Sequence, residues 1–456
     1  MNKCTLLMLL VLQTSVALTG SATSSFPGQH WQQYSNPEDA GFSTARLDSA
    51  RTFFENSGAA GLFVVHRGRV LAAWGETNRR FICASVRKSF MNALIGVAVD
   101  LGQIDLNKTL ADLKIDDIQA LTETEKQATV KHLLAARSGV YHPAAYSPQS
   151  MEENLPVRGS HAPGEFWYYN NWDFNVLATI LKQETGLETF DAFKEQIAIP
   201  LQMEDFRLED TYYRYEPEKS KHPAYLFRLS ARDMARFGLL YLNNGNWGGG
   251  QIVPAGWVEE STRPVTKVTR RHANLGQYGY LWWISHDIRG QKMYFASGSG
   301  GQRILVFPEA ELVVVHVVDT YQNKSVSHEQ IIKLLGLLLD ARVAVPGRKP
   351  SLSAFQQARR QPPKTMLIRQ EQLSEYTGTF HHRFLGEFIV RSEGGQLVME
   401  TGIGIFKLLP IGEDQFWPPD IEIPILFKRA ETKETKSSIA SILDSNRNVT
   451  QVVFYY

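Results

Sequence analysis

Apolar residues fall along this chain in two rhythms, and the change from one to the other divides it. Residues 61–75, GLFVVHRGRVLAAWG, place two β-rich apolar runs around the turn-like HRGR and predict a hairpin. Next, SFMNALIGVAVDLGQI carries apolar residues at helical spacing and stops at Gly102, so a helix is predicted to begin near residue 84. From about 103 to 270 helical patterns dominate, in VKHLLAAR (130–137), FNVLATILKQETG (174–186) and SARDMARFGLLYLNNG (230–245). The strand rhythm returns in YGYLWWIS (278–285), KMYFAS (292–297), RILVFP (303–308) and LVVVHVVD (312–319), followed by the amphipathic helix HEQIIKLLGLLLDARV (328–343). Early and late strands with helices between predict an α+β fold. One antiparallel sheet is assembled from both ends of a domain spanning 28–345, flanked by helices, with a helical subdomain inserted and a cleft at the junction.

At VPGRKPSLSAFQQARRQPPK the composition turns to Pro, Gly, Ser and basic residues, and 346–366 reads as a linker. Beyond it, residues 367–456 alternate short apolar runs with turn signals such as EGG and GED, which predicts a small all-β, barrel-like module. The first residues, MNKCTLLMLLVLQTSVALTGSATSS, have the layout of a secretory signal over 1–22: Lys3, an apolar run from Leu6 to Leu12, and small residues around Ala17 to Ala22. The run is too short to span a bilayer stably, so the expectation is an exported protein, periplasmic or secreted, with no stable transmembrane segment after cleavage.

Composition narrows the partners. Lys plus Arg (48) nearly balance Asp plus Glu (47) without a long run of either sign, which gives no nucleic-acid footprint and fits a small-molecule substrate. Of the two cysteines, Cys4 lies in the predicted signal, so Cys83 has no partner for an internal disulfide and reads as a buried packing residue. Metal-hydrolase runs such as His-Glu-x-x-His are absent, His381-His382 has no spaced third ligand, and no Gly-x-Ser-x-Gly elbow occurs. No metal and no cofactor is expected.

Three stretches remain as candidates for chemistry. In FICASVRKSFMNALIG, Ser85 and Lys88 stand three apart at a helix start, on one face, so the amine can reach the hydroxyl while the helix N-terminus favours both a developing oxyanion and a neutral Lys. A Ser-x-x-Lys also arises about once by chance in a chain this long. In APGEFWYYNNWDFNVLATIL (162–181) a Tyr-x-Asn reads twice, as Tyr168-Tyr169-Asn170 or Tyr169-Asn170-Asn171. A phenol near an ammonium serves proton transfer and an amide binds a carbonyl, although so aromatic a segment is equally plain core. In FASGSGGQRILVF (295–307) three glycines and a Gln separate two strands, where backbone N–H groups can approach a ligand or simply form a hairpin turn.

The order Ser85-x-x-Lys88, then Pro163-Gly164 running into Tyr169-x-Asn171, then Ala296-Ser297-Gly298, resembles the serine β-lactamase and penicillin-binding-protein superfamily. It is most similar to the branch of class C β-lactamases, family VIII carboxylesterases and 6-aminohexanoate-dimer hydrolases, over about residues 35–343. The resemblance implies a β-lactamase/transpeptidase-like fold and a serine hydrolase. It implies Ser85 as acylated nucleophile, Lys88 as its base partner and Tyr169 as proton relay. The backbone N–H groups of Ser85 and Ser299 would form the oxyanion hole, with Asn171, Ser297 and Gly298 lining the substrate site. Trp167, Tyr168 and Trp172 would wall an apolar acyl pocket or belong to the core. The family's third motif opens with a cation or His where this chain has Ala296, so the expected substrate is a small ester or amide without an obligatory negative charge. The alternatives are β-lactamase or D-alanyl-D-alanine peptidase activity, or a slowly deacylating sensor.

Overall fold

The computed structural model describes residues 26–454 apart from 346, 348, 359–360, 383–385, 403, 423, 430–439 and 442–448; the predicted signal segment lies outside the described residues. The chain opens with β1 (Gln32–Tyr34) and α1 (Thr44–Glu55), then the hairpin β2 (Gly61–His66) and β3 (Arg69–Gly75). A short β4 (Arg80–Ile82) leads through one 3-10 turn, Ala84–Val86, into α2 (Arg87–Asp100). The helical segment follows, with α3 (Val130–Leu134), α4 (Gln149–Glu152), α5 (Asn171–Thr185) and α6 (Thr189–Phe193). Next come β5 (Thr211–Arg214), β6 (Ala224–Ser230), α7 (Ala231–Leu242), the small hairpin β7 (Asn246–Trp247) and β8 (Gly250–Gln251), and α8 (Ala255–Ser261). The returning strands are β9 (Thr266–Lys267), β10 (Gln277–Tyr278), β11 (Trp283–Ile288), β12 (Gln291–Gly298), β13 (Gln302–Phe307) and β14 (Leu312–Val317), closed by α9 (His328–Asp340) and the short β15 (Leu352–Ala354).

Strands from both ends of this segment join one sheet in the order β15-β1-β3-β2-β14-β13-β12-β11-β10-β9, so the hairpin and the late strands meet as the apolar pattern predicts. The sheet is mixed rather than antiparallel throughout. Its β1 runs parallel to β3, with Gln33 opposite Val70, because the chain crosses from β1 through α1 before the β2–β3 hairpin turns back. The stretch read as a linker also contributes: β15 pairs antiparallel with β1, Gln32 opposite Ala354, and covers an edge that would otherwise expose unpaired backbone. Three residues are too few to register as a periodicity.

Every residue of β2, β13 and β14 is buried, which explains their continuous Val/Leu/Ile runs. Helix α7 packs across these three strands, while α1 packs on α9. The approach of α7 depends on Gly238, where an added Cβ would lie 2.6 Å from Val313 Cγ1 and 2.9 Å from Ile304 Cγ2. Separately, β4, β6 and β5 form a small antiparallel sheet whose first strand leads directly to Ser85.

The C-terminal module is an eight-stranded antiparallel sheet among the described residues, from Gly378 to Phe454. Its aromatic interior, with Phe380, Phe388, Phe406, Phe416 and Phe427, is continuous with Ile82, Ala145, Ala224, Leu226 and Tyr321 of the first module. Polar contacts fasten the same junction: Arg79 Nε donates to the Ile421 carbonyl at 3.2 Å, Arg228 Nη1 to the Asp420 carbonyl at 3.0 Å, and Arg80 Nη2 pairs with Glu422 at 2.9 Å. No helix of the described residues is long and apolar enough to cross a membrane.

Gly238→Ala sets two effects against each other. The helix gains roughly 1 kcal/mol of propensity, but a methyl driven into the stiff, fully buried Val313 side chain costs roughly 1–3 kcal/mol. Overpacking is expected to win, so thermal unfolding should show a lower Tm for Gly238→Ala than for the wild type; a higher one would mean that α7 can lift off the sheet.

Candidate active site

Ser85 stands where the small sheet hands over to α2. The Cys83 N–H still bonds to the Phe227 carbonyl at 2.9 Å, after which Ala84 takes φ 47° and the chain winds into its 3-10 turn. A non-glycine residue in that left-handed region costs about 1–2 kcal/mol. The kink leaves Cys83 and Val86 buried and Ser85 only half-buried, its hydroxyl facing a cleft. Cys83 fills space as predicted: it is fully buried, and burial pushes its thiol pKa up.

One turn on, Lys88 is 2% exposed with Nζ 2.7 Å from Ser85 Oγ. Among the described residues no carboxylate pairs with it. Its surroundings are aromatic instead, with the Tyr169 ring centroid 4.6 Å and the Phe174 centroid 4.9 Å from Nζ. Burial, helped by the adjacent Arg87 guanidinium, holds the Lys88 pKa well below 10.5. A cation–π attraction of about 0.5–2 kcal/mol favours the ammonium, but removing an ammonium from water costs several kcal/mol. Desolvation wins, and the site favours a neutral amine with a free lone pair.

Tyr169 arrives on a segment whose turn is made by Gly164, at φ 87°, and which is tied down where the Tyr168 N–H bonds the Ala136 carbonyl. Asn170 caps α5, accepting from the Trp172 N–H and donating Nδ2 to the Val140 carbonyl at 2.7 Å. This backbone path separates the two tyrosines. The Tyr168 hydroxyl donates to the Met151 carbonyl at 2.9 Å, whereas the Tyr169 hydroxyl is hydrogen-bonded to Ser85. Burial raises the Tyr169 pKa to about 12, against the Ser85 hydrogen bond and the Arg87 and Arg303 charges that lower it.

The third stretch forms the opposite wall. Ser297, Gly298 and Ser299 line the cleft at the end of β12. Gly298 is required there: an added Cβ would lie 2.5 Å from the Cys83 carbonyl oxygen and 3.2 Å from Ala84 Cβ, so only glycine lets β12 close on the Ser85 turn. Asn171 is placed differently from expectation. It begins α5, 3% exposed, with Nδ2 donating to the Tyr146 carbonyl at 2.7 Å and Oδ1 buried without a partner, and it is not part of the cleft lining. Trp167 and Trp172 belong to the core; the Trp172 Nε1 donates to Asp117 at 2.7 Å.

The cleft measures about 460 Å³. Besides the predicted residues it is lined by His272, Trp283, Arg303 and the segment from Ser325 to Ser327 with Gln330, none of which sequence reasoning singled out. Trp283 supplies the aromatic wall, stacked on Tyr169 at 5.5 Å. Arg303 lies opposite Ser297 across the β12–β13 pair, a charge at the start of an otherwise apolar strand. Nothing in the pattern QRILVF distinguishes it from an ordinary exposed arginine at a strand end.

With this geometry in view, comparison with known proteins is direct. Residues 50–336 match the protein family described as Beta-lactamase, and the chain belongs to that family. The resemblance drawn from the order of motifs is borne out. A 6-aminohexanoate-dimer hydrolase of Paenarthrobacter ureafaciens is 24% identical over 319 residues, covering 62% of this chain and 78% of that protein. Among solved structures, a Bacillus anthracis protein described as a 6-aminohexanoate-dimer hydrolase aligns with TM-score 0.52 and 23% identity, covering 70% of this chain and 89% of that one. The penicillin-binding protein homologue of Pyrococcus abyssi aligns with TM-score 0.50 and 17% identity over 90% of this chain and 99% of its own, a span that runs through both modules.

The depressed Lys88 pKa has a consequence for stability. The folded chain holds the Lys88 proton less tightly than the unfolded chain does, so below pH 10.5 folding bears the cost of placing this amine in a dry site. That cost shrinks as pH rises toward 10.5. Lys88→Met, apolar and similar in length, is therefore expected to have a higher Tm than the wild type at pH 7, with the gap narrowing toward pH 10; a variant destabilised at every pH would show that Lys88 contributes structurally.

Proposed function

We propose that this protein is an exported serine hydrolase that cleaves a small ester or amide through an acyl-enzyme on Ser85. The observation that carries the reading is the 2.7 Å contact between Ser85 Oγ and a buried Lys88 amine without a carboxylate partner. A hydroxyl becomes a competent nucleophile when a neighbouring base takes its proton, and a neutral lysine has the lone pair to do so. The Ser85 oxygen attacks the carbonyl carbon as its proton passes to Lys88. The bond to the leaving group then breaks, and Tyr169, hydrogen-bonded to Ser85 and above the Lys88 amine, relays the proton to the departing oxygen or nitrogen. Water repeats the sequence on the acyl-enzyme, releasing the carboxylic acid and restoring the Ser85 hydroxyl.

The oxyanion would be received by the backbone N–H groups of Ser85 and Ser299, both on residues that line the cleft. Arg303 Nη1 holds the Gly298 carbonyl at 2.8 Å, and because N–H and C=O of one trans peptide point opposite ways, the Ser299 N–H is directed away from that arginine. The amide-hydrolase name of the Paenarthrobacter relative supports acyl transfer, and the signal-like N-terminus supports export. Asn171, packed under Tyr146 rather than in the cleft, acts on this reading by positioning the start of α5 beside Tyr169.

A fluorophosphonate is expected to add one adduct to the intact mass of the wild type and none to Ser85→Ala; an unmodified wild type would sink the proposal. Tyr169→Phe should still fold and lose roughly 10²- to 10⁴-fold in kcat/KM, the usual share of a proton-transfer group. Parallel assays on short-chain p-nitrophenyl esters, small amides and a chromogenic cephalosporin rank the substrates, and cephalosporin turnover far above the esters would replace the ester or amide assignment with a β-lactamase.

A further inference from the structure

Arg87 stands between Ser85 and Lys88 in the sequence, yet it lines no part of the cleft and is fully buried. A long cationic side chain ordinarily carries its charge out to water, and this one does not. Its Nη2 donates to Asn175 Oδ1 on α5 at 3.1 Å, and the guanidinium lies over the Tyr225 ring, 4.3 Å from the centroid, with the Tyr146 ring at 6.0 Å. Nε is buried without a partner. A desolvated cation without a counter-charge costs several kcal/mol, and an apolar side chain of similar length would fill the same space more cheaply. Packing alone therefore gives no reason for a charge here.

The elements packed against α2 supply no counter-charge. From α5 comes Asp173, where burial disfavours the carboxylate. From α6 comes Asp191, which is exposed to solvent. Strand β6 brings Tyr225, whose phenol burial pushes up, and Arg228, which is paired with Asp210. In the turn before α2, burial likewise pushes up the Cys83 thiol. Among the described residues no carboxylate pairs with Arg87 or with Lys88, so two cationic side chains sit next to each other at one helix start with nothing to offset them.

Resting on the acyl-transfer reading, we propose that Arg87 is a positioning residue for the Lys88 base: its uncompensated charge, next to Lys88 on the helix, keeps that amine free of its proton when Ser85 must give one up. Arg87 touches neither the cleft nor a substrate and acts only through the field it sets. A like charge beside an amine disfavours the ammonium, most strongly where water is excluded. The same field bears on the Tyr169 phenol, so both proton-transfer groups of the site feel one buried guanidinium.

The rate at which a fluorophosphonate labels Ser85, followed by intact mass across the pH range in which the protein stays folded, reports the free base without any choice of substrate. Labelling of the wild type is expected to rise through an acid limb, where Lys88 loses its proton, and then level off. Arg87→Gln removes the charge and keeps a donor for Asn175. It should move the limb upward by about one pH unit, so that at a pH on the limb labelling falls about 10-fold relative to the plateau. Asn175→Asp sets a carboxylate against the same guanidinium and should move the limb in the same direction with Arg87 in place. Asn175→Ser breaks the same hydrogen bond without changing charge and should leave the limb where the wild type has it. A limb that Arg87→Gln does not move overturns the proposal, as does one that Asn175→Ser moves as far as Asn175→Asp, the mark of a structural role. If Arg87→Gln does not fold, the two Asn175 variants decide. No adduct at any pH fails the acyl-transfer reading beneath, whereas an adduct whose pH dependence ignores these charges fails this inference alone.

Discussion

A lysine amine kept from water and from carboxylates is the constraint around which the rest of this structure is arranged. Lys88 is poised against Ser85 only if nothing nearby stabilises its ammonium. Asp173, on the helix α5 that packs against α2, is itself buried and bonded to Ser138 Oγ at 2.6 Å, and burial pushes its pKa well above the usual carboxylate value. Burial there disfavours a carboxylate charge. Arg87 is treated in the same way: its partners are the Asn175 amide oxygen at 3.1 Å and the Tyr225 ring at 4.3 Å, neither of them anionic. The positive charge of Arg87 is thus left without an anionic partner among the described residues.

That imbalance carries a chemical direction. Reactions that build negative charge on a substrate oxygen gain from a fixed positive field in a dry cleft, and that field needs no rearrangement at the moment of reaction. Arg87 and Arg303 both pull on the Tyr169 phenol, opposing the burial that raises its pKa. Of these two charges, Arg87 also discourages protonation of Lys88. The folded protein bears the cost of these groups, together with the left-handed Ala84, at one turn of chain. The large sheet and the helices over it supply the stability that offsets that cost.

How far this was legible in the sequence follows from the kind of signal each feature leaves. The hairpin, the late strands, α9 and the Ser85–Lys88 pair announce themselves through local periodicity and spacing, and the structure contains them. The parallel partner of β1 and the strand at Leu352–Ala354 do not, because pairing direction and a three-residue edge strand depend on where distant chain ends meet. Tyr168 and Tyr169 are indistinguishable as letters; the capped start of α5 at Asn170 decides which phenol reaches the serine. Asn171 was misplaced for a related reason, since its side chain is taken by a carbonyl 25 residues upstream, at Tyr146. Arg87 was invisible as more than the letter before Lys88, because what matters is its lack of an anionic partner, and a missing contact leaves no motif.

The C-terminal module enters the same argument through its contact with Arg79. That guanidinium bonds the Ile421 carbonyl of the module, Glu76 at 2.9 Å and Asp319 at 2.8 Å. Asp319 in turn accepts from the Tyr321 N–H and so fixes the turn that holds Thr320. A Cβ on Gly300 would lie 2.3 Å from Thr320 Cγ2, so the glycine turn beside Ser299 is moulded on that threonine. A continuous set of buried polar contacts and one tight packing contact therefore joins the second module to the wall of the cleft opposite Ser85. Since Tyr321 also belongs to the apolar core shared between the modules, the position of Ser299 rests on the whole two-module assembly and not on the first sheet alone.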